Sequence, residues 1–150
     1  MVGKPFVYRS ILILLAVAIP LAVSAQNFKQ RYERGLALYE RGKYEAAIVH
    51  FQSMLRDNSK SSLSDNCQYW IGESYFALHQ YERALLAFDR TLAFPRSNKR
   101  EDALYKIAQC HEKLGEPFEA REMYLRFIAE YPSSRLAAGV MKKIEALGLP

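Results

Sequence analysis

The sequence predicts an all-α solenoid of helical hairpins, three repeats closed by one C-terminal helix, and two observations carry the prediction. The first is internal repetition. "ERGLALYERGKYEAAIVHFQSML" (Glu33 to Leu55), "WIGESYFALHQYERALLAFDRTL" (Trp70 to Leu92) and "KIAQCHEKLGEPFEAREMYLRFI" (Lys106 to Ile128) superpose without a gap, offset by 37 and then 36 residues. The second is that equivalent columns hold residues of one kind: Gly35, Gly72 and Ala108; Ala47, Ala84 and Ala120; Phe51, Phe88 and Tyr124. A period in the range of roughly 20 to 50 residues marks a stack of like units, each burying its apolar face on its neighbours.

The chain has 150 residues, half of them apolar, which suits one domain. Its formal charge is +5. Acids and bases alternate, as in Glu82-Arg83 and Arg100-Glu101-Asp102, so the charges read as solvated helix faces rather than a basic stripe for nucleic acid.

Taken in order, residues 1–25 read as a cleavable signal peptide. Lys4 and Arg9 precede the apolar run Ile11 to Val23, and Val23-Ser24-Ala25 offers small residues before Gln26. As a helix that run would span about 20 Å, short of a hydrocarbon core of roughly 30 Å. The first cysteine is Cys67, so no lipid attachment is expected at the cleavage point. The expectation is an exported, periplasmic domain over 26–150, with no stable membrane span once the signal is removed.

The first repeat covers about 28–61, the second 65–98 and the third 101–134. Within each, a small residue at Gly35 or Gly72 costs up to about 1 kcal/mol of helix propensity, a cost accepted where a neighbour must come close. Gly42 and Gly115 end the first helices, where a left-handed residue is needed, and His79 takes that place in the second repeat. The alanine column lets the second helix pack on the first, and Phe51, Phe88 and Tyr124 fill the space one turn later. Pro95 and Pro132 stop the second helices, whereas Pro117 at a helix start is sterically acceptable. A closing helix over about 135–147 places Leu136, Val140, Ile144 and Leu147 on one face.

This pattern resembles the tetratricopeptide repeat, with its spaced small residue, tyrosine, alanine, phenylalanine and proline. "YWIGESYFALHQYERALLAF" (Tyr69 to Phe88), followed by an aromatic-proline pair and a linker, looks like the repeats of the periplasmic Tol-Pal-associated cell-division coordinator family. It is less closely similar to the outer-membrane-protein assembly lipoprotein family. The resemblance implies an envelope scaffold of Gram-negative bacteria and a concave groove lined by the first helices. Three tyrosines in register, Tyr32, Tyr69 and Tyr105, would then form a ladder, continued by Leu36, Glu73 and Gln109 and by Tyr39, Phe76 and Glu112. Rigid amphipathic rings suit the capture of a peptide. The same aromatics could instead pack between helices.

Catalysis finds no constellation. His50, His79 and His111 fall at different places in their repeats, without a His-x-x-x-His pair, a Cys-x-x-Cys or a glycine-rich phosphate loop. No cofactor and no metal are expected. His79 reads as a polar helix end and His111 as a satisfied core imidazole. Cys67 and Cys110 lie about 10 Å out of step on neighbouring helices, which disfavours a disulfide and predicts two buried thiols. The expected function is a non-enzymatic adaptor that binds a protein or peptide of the envelope. The other readings are a structural accessory that oligomerises through convex or terminal surfaces, and a subunit of an envelope enzyme.

Overall fold

Each hairpin turns on one residue in the left-handed region. In the computed structural model, which describes residues 27–58, 61 and 63–148, Gly42, His79 and Gly115 have φ of 70°, 59° and 74°. Around each, the same pair of backbone hydrogen bonds recurs. Gly42 N donates to Tyr39 O and Lys43 N to Leu38 O; His79 N donates to Phe76 O and Gln80 N to Tyr75 O; Gly115 N donates to Glu112 O and Glu116 N to His111 O. This is the doubly bonded helix end that leaves few orphan carbonyls. The expected signal peptide lies outside the described residues.

The elements are all helical: α1 over residues 27–40, α2 (Tyr44–Asp57), α3 (Ser64–Ala77), α4 (Tyr81–Leu92), α5 (Arg100–Leu114), α6 (Pro117–Glu130) and α7 (Ala137–Ala146). From α2 onward the strong packing is between helices adjacent in sequence, as a quasi-one-dimensional stack requires. No helix among the described residues is long and apolar enough to cross a membrane.

The core explains the glycine column more sharply than propensity could. A Cβ on Gly35 would stand 2.5 Å from Phe51 Cε1, and one on Gly72 would stand 2.6 Å from Phe88 Cε1. The close neighbour is therefore a ring from the second helix of the same hairpin. Ala47, Phe51, Ala84, Phe88, Ala120, Tyr124 and Phe127 are fully buried. Val140 of α7 closes the third cluster beside Leu104, Ala108 and Tyr124.

A third periodic device sits in the linkers. Ser61, Ser97 and Ser134 each accept, at Oγ, the amide N–H two residues on, from Leu63, Lys99 and Leu136, at 3.4, 3.0 and 3.0 Å. These serines sit at the same 36- to 37-residue offset as the hairpins and turn the chain into the next first helix.

His79 is the one non-glycine among the hairpin residues with positive φ. A left-handed side chain costs about 1–2 kcal/mol relative to glycine. Its exposed ring regains part of that through Nδ1, 2.7 Å from the Tyr81 hydroxyl. His79→Gly should accordingly raise the melting temperature by a few degrees, about 1 kcal/mol, in a thermal scan by circular dichroism. A fall would mean that the Tyr81 contact outweighs the backbone term.

Candidate peptide-binding face

The first helices carry every candidate groove residue, and their surroundings divide them into two groups. The tyrosine ladder packs. Tyr32 lies 5.9 Å from Phe51, Tyr69 5.6 Å from Phe88 and Tyr105 6.0 Å from Tyr124, ring centroid to ring centroid. The same column meets the same aromatic in all three repeats, because each ring fills the space beside the small-residue column. Tyr69 is only 7 % exposed, so it braces the hairpin and presents little to a partner, contrary to the expectation of a binding residue. Burial, then the nearby Glu73 carboxylate, raises its hydroxyl pKa. Tyr32 and Tyr105 are half-buried, and the Tyr32 hydroxyl accepts the Trp70 indole N–H at 2.8 Å.

The other candidates lie along a row that crosses from helix to helix. Tyr39 is half-buried, its ring 4.9 Å from that of Trp70. Phe76 is half-buried beneath Lys106 Nζ, which lies 4.6 Å from its centroid, a cation over a π face. Glu112 receives Lys143 Nζ at 2.8 Å and the Tyr124 hydroxyl. Leu36 packs partly against the first core cluster and Gln109 is half-buried on α5.

Glu73 is more internal than a groove residue should be. Its side chain is 12 % exposed, and Lys106 Nζ stands 2.8 Å from Oε1. That contact is the partner of a carboxylate oxygen otherwise sealed from solvent. Burial pushes the Glu73 carboxyl above its ordinary range, and Lys106 only partly opposes it.

Sequence reasoning passed over one column. Trp70, Lys106 and Lys143 follow one another at offsets of 36 and 37. Each reaches back to the preceding repeat: Trp70 to Tyr32 and Tyr39, Lys106 to Glu73 and Phe76, Lys143 to Glu112 and Tyr124. The signal was present in the alignment of repeats, but tryptophan and lysine share no chemistry until the structure shows that both span the inter-repeat gap.

The histidines and cysteines take structural places. His50 Nε2–H donates to the Arg31 carbonyl at 2.7 Å. His111 is largely buried, its side chain 19 % exposed, and its Nδ1 lies 2.7 Å from Glu116 Oε2 across the third hairpin turn. Cys67 and Cys110 are buried and free, and burial pushes both thiols up to about 12, out of the reactive thiolate range. Among the described residues, no group of three or more His, Cys, Asp or Glu could hold a metal ion.

Comparison with known proteins agrees with this architecture. Two family profiles, both described as tetratricopeptide repeat, match residues 32–100 and 102–134. No curated protein sequence matches significantly. Among solved structures, the chain is similar to the Yersinia enterocolitica type III secretion chaperone SycD in complex with a peptide of the translocator YopD. That match has a TM-score of 0.72 and 20% identity over 82% of this chain and 93% of the other. It is similar to PcrH bound to the chaperone binding region of PopD, with TM-score 0.71 and 21% identity over 82% and 92% of the two chains. PcrH is a Pseudomonas aeruginosa protein. The second tetratricopeptide domain of human RPAP3, in complex with an HSP70 peptide, matches at TM-score 0.65 and 15% identity over 80% and 93%. The hairpin columns, the consecutive helix packing and both profile matches make this chain a tetratricopeptide-repeat protein.

Proposed function

We propose that the chain is a non-enzymatic, exported adaptor of the bacterial cell envelope that holds a peptide or helix of a partner protein on the face of its first helices. The observation that carries the proposal is the row Tyr39, Trp70, Phe76 and Lys106, half-buried side chains that run across two inter-repeat gaps. Aromatic rings flanked by a lysine can cover apolar peptide side chains and bind backbone carbonyls at the same time. The three similar folds described above each hold a partner's peptide, which supports the same class of ligand. Export rests on the sequence pattern of residues 1–25. A role beside Tol-Pal, cell division or outer-membrane assembly rests on the resemblance of Tyr69 to Phe88 to those envelope families.

Site-specific photocrosslinking tests the face directly. A photoreactive phenylalanine analogue at position 76 should crosslink a partner in envelope fractions, while the same analogue at Leu125, exposed on α6, should not. Crosslinks at Leu125 with none at Phe76 would favour an accessory that associates through its second helices and would refute the groove.

A further inference from the structure

We propose that a second docking site lies between the second helices of the first two repeats, and that it takes an acidic, leucine-containing segment of a partner protein. The site is a cavity of about 470 Å³ lined by residues of α2, α3 and α4, none of which belongs to the row just described. Leu55, Ile71 and Tyr75 give it an apolar floor, with Leu86 at its rim, and Arg56, Arg83 and Arg90 stand around it. Leu86 is 59 % exposed. Among the described residues, no carboxylate lines the cavity.

The charge of these arginines is left open by the helices that carry them. Among the described residues none of the three forms an ion pair. Arg83 donates to the neutral Gln80 amide at 3.1 Å and lies 5.8 Å from the Tyr75 ring. A comparison within the chain shows what neutralisation looks like. Arg126 occupies the Arg90 column one repeat later and pairs with Glu130, four residues on, at 2.6 Å. Four residues beyond Arg90 stands Phe94. The residues four before Arg83 and Arg56 are His79 and Gln52, so helical spacing supplies no acid to either.

The scaffold does not require these arginines. In the first repeat the positions equivalent to Arg83 and Arg90 are Ala46 and Ser53, and the hairpin forms all the same. Three uncompensated guanidinium groups around a concavity focus a positive potential, and their planar forks match carboxylates in two-point contact. The apolar floor offers nothing to a phosphodiester backbone but accepts a leucine side chain. Acidic and apolar recognition together specify a peptide, and the charge complementarity commits it to Glu- or Asp-rich sequence.

Fluorescence anisotropy on the full chain tests this, with labelled peptides of Glu, Asp and Leu against controls carrying Lys in place of the acids. The acidic peptides should bind, with affinity falling as salt rises. The combined variant Arg56→Gln, Arg83→Gln and Arg90→Gln should lose at least roughly tenfold in affinity and most of the salt dependence. All three side chains are exposed, so its melting temperature should stay put. Arg126→Gln and Phe76→Ala should leave this binding unchanged, which separates the site from the first-helix face. Equal binding of the lysine peptides, undiminished binding by the triple variant, or binding to phosphatidylglycerol vesicles without binding to any acidic peptide would each overturn the proposal.

Discussion

Phe88→Ala should destabilise the protein by about 3–5 kcal/mol, the cost of emptying a fully buried aromatic site. The ring is completely buried, lies 5.6 Å from Tyr69, and occupies the space that glycine at position 72 leaves open. Alanine would remove the ring's buried area and leave a cavity whose walls are helices α3, α4 and α5, too constrained to collapse into it. Domains of this size hold about 5–15 kcal/mol in total, so the loss is a large share. Its position matters as well. A stack propagates stability through neighbouring interfaces, and Phe88 is in the middle repeat. The expected result in urea is a lowered midpoint and a transition that broadens or splits, as the first and third repeats lose their mutual support. A single sharp transition displaced by less than about 1 kcal/mol would contradict the assignment of Phe88 as the keystone of the second hairpin.

Gly72→Ala should destabilise by about 1–3 kcal/mol even though alanine is the better helix former by about 1 kcal/mol. The added methyl would stand 2.6 Å from Phe88 Cε1 and 2.8 Å from Cδ1, well inside van der Waals contact, so the ring must turn off its rotamer or the helices must part. The companion experiment is a double-mutant cycle with Phe88→Leu. Leucine frees the space that the new methyl needs, so the double variant should be more stable than the sum of the single effects predicts, with a coupling of about 1 kcal/mol or more. Strict additivity would show that the glycine serves something other than this contact. His79→Gly, with the opposite expected sign, completes the comparison: a glycine is needed at 72 for space and favoured at 79 for backbone angle.

Much of this architecture was legible in the primary structure because the repeats align without gaps. The columns that begin at Gly35, Ala47 and Phe51 keep residues of one kind at offsets of 37 and then 36, and repetition separates scaffold from accident without any other sequence. Identifying the binding face was harder. Tyr32, Tyr69 and Tyr105 recur as faithfully as the core, and a column of tyrosines reads equally well as a ladder for a ligand or as packing. Periodicity reports that a position matters to every repeat. It cannot report which way the ring leans, because on a helix a residue at the edge of the buried stripe can turn either inward or outward.

The amino-acid sequence alone determined the helical hairpins, their number, the left-handed turns at positions 42, 79 and 115, and the buried thiols, since these follow from local sterics and from apolar spacing within one unit. Tertiary structure decided what the units do to each other. Only packing shows that Tyr69 is sealed under Phe88, that Trp70, Lys106 and Lys143 share the task of bridging repeats, and that Arg56, Arg83 and Arg90 converge on one cavity from two different helices. Those relations join residues that sequence distance keeps apart, and they depend on how far one hairpin rotates on the next, a quantity set by side-chain interdigitation rather than by any single residue.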